Sequence, residues 1–259
     1  MSKNIVYMVN LVEDAKLDRT KPYEFSIKSW QHYCTTHDCE LYVLEDRIYE
    51  ETYMNANFHK LFPIPILENS DVAYDKILVV DSDTIVHPDA PNIFDVTCTN
   101  DIYGVHNMGN YDWVIRSMEN YSSELFNGYT FPLREYINTG LVVFNNTHKT
   151  FLREVHEFYF DNVDKIVDIQ TKYGTGTDQP VLNFLIHKFN QKLSLLPFEW
   201  NMQELPRLEV LDTDLTFTNY GHVYHFNGIP PDYKLYNDPN KSSVYQWMEY
   251  TYNKLYASK

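Results

Sequence analysis

The sequence of 259 residues is short of positive charge. Lysine and arginine number 21 against 36 aspartates and glutamates, which gives a formal net charge of −15 at pH 7. Nucleic-acid phosphates are bound by clustered Lys and Arg side chains, and anionic membrane surfaces attract the same residues. The composition therefore argues against both as partners. An acidic chain can still bind a single phosphate ligand where a local cation neutralises it.

Cysteine is scarce, and so are long apolar segments. The three cysteines are an odd, low number, which is typical of proteins in a reducing compartment. The first residues, MSKNIVYMVNLVED, contain one short apolar run that soon meets acids. This run is too short for a membrane span and unlike a signal peptide. We therefore expect a soluble, cytoplasmic protein without a membrane span.

Short apolar runs alternate with helical patterns along the chain. Strands are predicted at 5–12, 39–46, 75–83, 101–107, 135–146, 193–201 and 222–228. Helices are predicted within 18–37, with Pro22 just inside the start, at 57–70 with a break at its prolines, and at 151–167, 178–189 and 238–256. This alternation is typical of an α/β protein with a mainly parallel sheet. No repeat or low-complexity linker interrupts it, so we expect a single domain.

The segment DKILVVDSDTIVHPDA, residues 75–90, contains a buried strand that ends on two acids. Asp81 and Asp83 lie one residue apart, and alternate residues of an extended segment point to one face. Ligands of open α/β sheets bind at the carboxyl ends of the strands. Two carboxylates there can share a divalent cation and leave coordination sites for substrate phosphates. The alternative is an exposed acidic turn whose Asp side chains bond backbone N–H groups.

Two classes of enzyme place such a pair after a strand. In haloacid-dehalogenase-like phosphatases the first Asp is a nucleophile. That motif normally ends the first strand, whereas Asp81 follows the third predicted strand, and Ile85 departs from its pattern. The second class is the nucleotide-sugar glycosyltransferases with a GT-A fold.

Four segments, in the same order, resemble the glycogenin-like group, glycosyltransferase family 8 in the broad sense. They are NFHKLFPIPILENSDVAYDKILVVDSDTIVHPDAPNIFD from residue 57, YINTGLVVFN from 136, GTDQPVLN from 176 and YHFNGIPPDYK from 224. The resemblance implies a GT-A fold: one Rossmann-like domain with a mixed, mainly parallel central sheet flanked by helices. It also implies transfer of a hexose from a UDP-sugar, with UDP-glucose or UDP-galactose favoured, to a hydroxyl of a glycan or protein, with retention of configuration.

The resemblance also implies which residues act. Asp81, Asp83 and His225 would bind Mn²⁺ or Mg²⁺, and His222 is the alternative to His225. An imidazole beside two carboxylates suits Mn²⁺ better than Ca²⁺. Asp178 and Gln179 would be the catalytic residues: Asp178 would bond the sugar hydroxyls or act as a covalent nucleophile, and Gln179 would lie under the anomeric carbon.

The remaining matches would bind the donor. The residues implied for the UDP-sugar are Val9, Asn10, Lys60, Asp81, Ser82, Asn138, Thr139, Gly140, Gly228 and Lys234. Lys234 departs from the family pattern, because Leu235 and Tyr236 follow it in place of Pro-Trp.

Within the expected domain of residues 1–259, the nucleotide would bind to 1–105, the donor sugar and acceptor to 106–235, and 238–257 would be a C-terminal helix. The alternative function is a non-catalytic nucleotide-sugar-binding protein on the same fold.

Overall fold

A computed structural model describes residues 3–11, 23–51, 53–69 and 73–257, with Asn69 described by its backbone alone. The predicted positions of Val12 in the first strand, Pro22 at the start of the first helix and Ser70 at the end of the second lie outside the described residues. In this part of the chain, no helix is long and apolar enough to cross a membrane.

The described residues form two sheets. The strands are β1 (Lys3–Val9), β2 (Glu40–Leu44), β3 (Tyr74–Val80), β4 (Thr84–Val86), β5 (Ile102–His106), β6 (Ile137–Asn145), β7 (Leu193–Leu196) and β8 (Val223–His225). Six of them form the central sheet in the order β2-β1-β3-β6-β5-β7, while β4 and β8 form a small second sheet. In the central sheet β6 runs antiparallel to both neighbours, and the other neighbouring pairs are parallel. The predicted mixed, mainly parallel sheet is confirmed.

Helices flank the sheet as predicted. They are α1 (Tyr23–His37), α2 (Pro63–Asn69), α3 (Ile93–Val96), α4 (Tyr111–Glu124), α5 (Lys149–Tyr173), α6 (Asp178–Lys188) and α7 (Ser243–Tyr256). The break predicted within 57–70 is confirmed, because a 3-10 turn, Ala56–Leu61, precedes α2. The prediction of 151–167 for α5 was too short by its last turns, which end at Gly174 in the left-handed conformation.

Helix α4 and strand β4 were not predicted. The sequence of α4, YDWVIRSMENYSSE, is rich in residues of modest helix propensity. Its stability comes from packing, because Val114, Met118 and Tyr121 form one buried stripe on the helix. Strand β4 has three residues, too few for a periodic pattern, and forms by pairing with β8, which is distant in sequence.

Both faces of the central sheet are buried. Along β3, Ile77 and Val79 pack into one hydrophobic cluster, while Leu78 and Val80 pack into another on the opposite face. A strand that is buried on both faces has a continuous apolar sequence, which is why IVYMV and KILVV were recognisable.

The small sheet places the C-terminal segment beside the end of β3. Thr84 of β4 lies opposite His225 of β8 in the antiparallel register. The hydroxyl of Thr84 donates to the backbone oxygen of Asp81 at 2.7 Å and accepts from the indole of Trp30 at 3.0 Å. The turn that carries the acid pair is therefore tied to β4, to β8 and to α1.

Candidate active site

Asp81, Asp83 and His225 converge at the end of β3. One possible ligand atom from each lies within 4.8 Å of the other two. His225 Nε2 is 3.1 Å from Asp83 Oδ1 and 3.7 Å from Asp81 Oδ2. His222, the alternative ligand, packs against Trp200 instead, with ring centroids 4.8 Å apart. Of the two histidines, it is His225 that the structure brings to the acids.

The charges of this cluster are strongly coupled. Burial opposes the charge on His225, but the carboxylates of Asp83 and Asp81 outweigh it and raise the pKa of the imidazole. Burial also opposes ionisation of Asp83, but His225 outweighs it and lowers the pKa of that carboxyl. Burial raises the pKa of Asp81, against the opposing charge of Lys60. The cluster thus requires a positive charge at its centre, and its two carboxylate oxygens and one imidazole nitrogen fit a divalent cation such as Mn²⁺.

Two buried groups fix the orientation of His225. Its Nδ1 lies 3.0 Å from Asn201 Oδ1. An amide oxygen only accepts hydrogen bonds, so Nδ1 carries the proton and Nε2 is left to face the acids. Behind the ring lies Gly140, where an added Cβ would be 2.3 Å from His225 Cε1. Any larger residue at position 140 would occupy the space of the imidazole.

Lys60 links the acid pair to a second carboxylate. Its ammonium lies 2.7 Å from Asp81 Oδ1 and 3.0 Å from Asp178 Oδ2, and its side chain is 9% exposed. Burial would lower the pKa of this ammonium, but the carboxylates of Asp178 and Asp81 outweigh burial and raise it. Lys60 is therefore a buried, permanently charged cation that lies between the carboxylates of Asp81 and Asp178.

Asp178 is held by several donors in the first turn of α6. Its Oδ2 accepts from the hydroxyl of Thr139 at 2.6 Å, and its Oδ1 accepts from Thr177 at 2.9 Å. The next residue, Gln179, accepts the backbone N–H of Thr139 at 3.2 Å. These hydrogen bonds fix the position of the carboxylate at the N-terminus of the helix, where the helix dipole favours a negative charge.

A chain of buried amides connects the two regions. Asn138 Oδ1 accepts from Asn201 Nδ2 at 2.9 Å and from the backbone of Gly140 at 2.8 Å. Asn107 Oδ1 accepts from Asn138 Nδ2 at 3.2 Å and from Gln179 Nε2 at 3.3 Å. One hydrogen-bonded network at the cleft therefore joins four parts of the fold. These are the residue after β5, strand β6, the 3-10 turn after β7 and the first turn of α6.

Sequence reasoning missed Asn107 and Asn201. Asn107 directly follows β5, so the rule that directed attention to the acids after β3 would also have identified it. Asn201 follows a 3-10 turn, Phe198–Trp200, after β7. No local signal marks Asn201, because its role depends on contact with a histidine 24 positions later.

These residues line an open cleft with a volume of about 770 Å³. The predicted residues in its lining are Val9, Asn10, Lys60, Asp81, Ser82, Asp83, Asn138, Thr139, Asp178, Gln179, His225 and Gly228. Gly140 lies just behind it, in contact with His225. The lining also includes residues that were not predicted, among them Arg47, Asn107 and Trp113.

The structure does not bring Lys234 to the cleft. The Lys234 side chain is exposed, and its ammonium donates to the backbone oxygen of Asp238 at 3.4 Å. The segment around it is fixed against α7, because Trp247 donates to the backbone oxygen of Tyr233 at 2.7 Å and Gln246 accepts the N–H of Leu235 at 2.8 Å. Lys234 is therefore absent from the cleft lining, and its predicted contact with the donor stays a prediction.

The fold is similar to those of two solved glycosyltransferases. A glycosyltransferase involved in the glycosylation of the major capsid of PBCV-1 is similar with a TM-score of 0.57 at 12% identity, over 96% of this chain and 98% of that one. The apo structure of the WbbM bifunctional glycosyltransferase is similar with a TM-score of 0.53 at 14% identity. That match covers 100% of this chain, which spans about half of the WbbM chain, 51%.

The sequence matches the model of glycosyl transferase family 8 over residues 5–231. The chain therefore belongs to this family, as the four motifs indicated, and it is a glycosyltransferase. A search of curated proteins finds no match. The family match spans both acids after β3, so it displaces the phosphatase interpretation of that pair.

Proposed function

We propose that this glycosyltransferase transfers a hexose from a UDP-sugar to a hydroxyl acceptor with retention of configuration, and that UDP-glucose or UDP-galactose is the donor. The observation that carries the proposal is the convergence of Asp81, Asp83 and His225 in one cleft with the Lys60–Asp178 pair. This arrangement places a cation site and a buried ammonium together, as departure of a diphosphate requires.

Asp81, Asp83 and His225 would hold Mn²⁺ or Mg²⁺. When bound, the cation supplies positive charge to the leaving diphosphate. Asn201 keeps His225 in the tautomer that leaves Nε2 free for the cation. Lys60 adds a second positive charge next to Asp81.

The end of β1 would receive the nucleoside. Val9 and Asn10 line the cleft there, and Asn10 Oδ1 is buried without a hydrogen-bond partner among the described residues. That acceptor fits an N–H or O–H of uridine. Gly228, with a φ of +66°, and Ser82 would flank the diphosphate, where a backbone without a side chain allows close approach. Lys234 does not line the cleft and is left out of this donor site.

Asn138, Thr139 and Gly140 would lie along the donor sugar, with Asp178 bonding its hydroxyls and Gln179 under the anomeric carbon. Both oxygens of Asp178 already accept hydrogen bonds, Oδ2 from Thr139 and Oδ1 from Thr177. This favours a positioning role over a covalent nucleophile. The acceptor proton would then pass to the leaving UDP on the same face of the sugar.

Residues 1–105 would form the nucleotide-binding part, 106–235 the part for donor sugar and acceptor, and 238–257 a C-terminal helix of one catalytic domain, 1–259. We further propose that the enzyme acts in the cytoplasm, since three cysteines are few and odd in number.

The test is hydrolysis of UDP-glucose and UDP-galactose with and without MnCl₂. We expect release of UDP that depends on Mn²⁺ and is lost in Asp83→Ala. Asp75→Ala, an exposed acid on the same strand, is the matched control and should retain it. Equal rates of UDP release with and without MnCl₂, or in Asp83→Ala and the wild type, would contradict the metal site. An inverted product anomer by NMR would contradict retention.

A further inference from the structure

One wall of the cleft has no part in the donor site described above. It is formed by Gly109, Asn110 and Trp113, on the segment that connects β5 to the first turn of α4. This wall presents an indole, an amide and bare backbone. The cleft lining near Arg47 and Glu51 is charged instead. The two regions therefore suit ligands of different chemistry.

Trp113 is held firmly at this wall. Asn110 caps α4, since its Oδ1 accepts the backbone N–H of Trp113 at 3.1 Å. The indole is half-buried and packs in part against the large hydrophobic cluster, so its remaining surface faces the cleft.

The wall is also connected to the donor-sugar residues. Asn107, which precedes it, accepts hydrogen bonds from Asn138 at 3.2 Å and from Gln179 at 3.3 Å. Asn10, at the proposed nucleoside end, comes from a different strand, β1, separated from β5 by β3 and β6. A molecule resting on Trp113 would thus lie on the sugar side of the cleft, where the acceptor hydroxyl has to be.

We propose that this wall is the acceptor subsite and that a neutral sugar residue of a glycan stacks on Trp113 there, beside Gly109 and Asn110. The inference rests on the proposed function and names its acceptor class. Aromatic rings pack on the C–H faces of sugars, while neighbouring amides bind hydroxyls. Residues 107–113 contain no Lys or Arg, and their charged residue, Asp112, is an acid. This disfavours a phosphorylated or carboxylated acceptor.

The transfer breaks the bond between the anomeric carbon and the β-phosphate oxygen of the donor. A glycosidic bond forms from that carbon to the acceptor oxygen, and the acceptor proton leaves with UDP. Two rates therefore separate the two proposals: release of UDP to water, which needs the donor site alone, and transfer to an acceptor, which needs the subsite as well.

The experiment measures both rates on the full chain with MnCl₂ and UDP-glucose or UDP-galactose. The acceptors are the neutral disaccharides lactose, maltose and cellobiose, a peptide with Ser and Tyr hydroxyls, and octanol. We expect at least one disaccharide to accept about tenfold faster than the peptide or octanol. Trp113→Leu should lower the ratio of transfer to hydrolysis by about tenfold, the size expected for loss of one stacking contact.

Because Trp113 packs partly on the core, Trp113→Phe is the second variant. It keeps an aromatic ring at the wall and should retain most of the same ratio. Tyr220→Ala, at a residue that is 69% exposed and does not line the cleft, is the control for an aromatic truncation and should change neither rate. Thermal midpoints show that each variant is folded.

Absence of metal-dependent hydrolysis contradicts the proposed function. Three results overturn the acceptor subsite and leave the proposed function standing. They are hydrolysis without transfer to any disaccharide, faster transfer to the peptide or octanol, and an unchanged ratio in folded Trp113→Leu.

Discussion

His225 and Asn201 meet through Nδ1 and Oδ1 at a distance of 3.0 Å. Both side chains are buried, with 2% and 1% exposure. The contact decides which nitrogen of the imidazole faces Asp81 and Asp83, so it determines whether His225 can serve as a ligand. The amide of Asn201 thereby influences the cation site without contributing a ligand atom to it.

Replacement of Asn201 should weaken metal binding. In Asn201→Ala the Nδ1–H of His225 loses its acceptor, and we expect the Kd for Mn²⁺ to rise by about 10- to 100-fold, as for other residues that orient a ligand. Asn201→Asp keeps an acceptor for Nδ1 but loses the N–H that Asn138 Oδ1 accepts, so it should recover only part of the affinity. Electron paramagnetic resonance of free Mn²⁺ measures this directly. The exposed Asn219→Ala is the control, and equal affinity in a folded Asn201→Ala would contradict the orienting role.

Gly140 should tolerate no side chain. The Cβ of Gly140→Ala would lie 2.3 Å from His225 Cε1 and 2.8 Å from Asn138 Oδ1. We expect loss of Mn²⁺ binding and destabilisation by about 1–3 kcal/mol, the usual cost of overpacking a core. Urea unfolding measures the second effect. Gly109→Ala is the matched control, since an added Cβ there meets nothing closer than 3.9 Å. A stable Gly140→Ala variant that binds Mn²⁺ normally would disprove the contact.

Lys60→Met should destabilise the protein by about 3 kcal/mol at pH 7, because it leaves the buried carboxylate of Asp178 and the partly buried carboxylate of Asp81 without their shared cation. The charge of Lys60 opposes the effect of burial, which raises the pKa of Asp81. Loss of that charge raises the pKa of Asp81 further, so the folded variant binds more protons than the wild type. By linkage, the deficit in unfolding free energy therefore grows as the pH rises and shrinks as it falls.

Urea unfolding of Lys60→Met at several pH values checks this trend. Lys3→Met removes an exposed ion pair, Lys3 to Glu40 at 3.2 Å, and should cost less than about 1 kcal/mol at every pH. A deficit in Lys60→Met that stays constant with pH would show that the acids are not the cause.

The carboxyl of Asp101 should make the free energy of unfolding depend on pH in the acid range. Ser194 donates to its Oδ2 at 2.6 Å and Lys192 lies 3.1 Å from its Oδ1, which joins β5 to β7. The Ser194 hydrogen bond is the main cause that lowers the pKa of Asp101, against the opposing effect of burial. The depressed pKa contributes stability above the unfolded pKa of about 3.9, and the contribution is lost as the pH falls through the folded value.

Asp101→Asn should therefore be less stable than the wild type by about 1 kcal/mol at pH 7. The difference should disappear at a pH below the folded pKa, where the wild-type carboxyl is also protonated. Chemical unfolding at pH 7 and in acid, with the exposed Asp75→Asn as the control, tests it. An equal difference at both pH values would contradict the assignment.

The sequence by itself determined the α/β class, the mainly parallel sheet and the turn that holds Asp81 and Asp83. These are local properties of the sequence. A strand that is buried on both faces has a continuous apolar sequence, and the two acids directly follow one such strand. The resemblance of four segments added His225 and the family. Helix α4 escaped prediction because its stability lies in the packing of Val114, Met118 and Tyr121 rather than in its own propensity.

Only the tertiary structure decided how these residues meet. It placed the ammonium of Lys60 between Asp81 and Asp178, and it joined Asn201 to His225. It also placed Lys234 outside the cleft lining, where its ammonium donates to the backbone oxygen of Asp238. Each of these contacts depends on the register between strands and turns distant in sequence, and on the burial that makes a charge or an amide require a partner. The sequence pattern identifies the carboxylates of VVDSD as candidate ligands. The lysine and the amides that complete the site can be identified only from their positions in the folded protein.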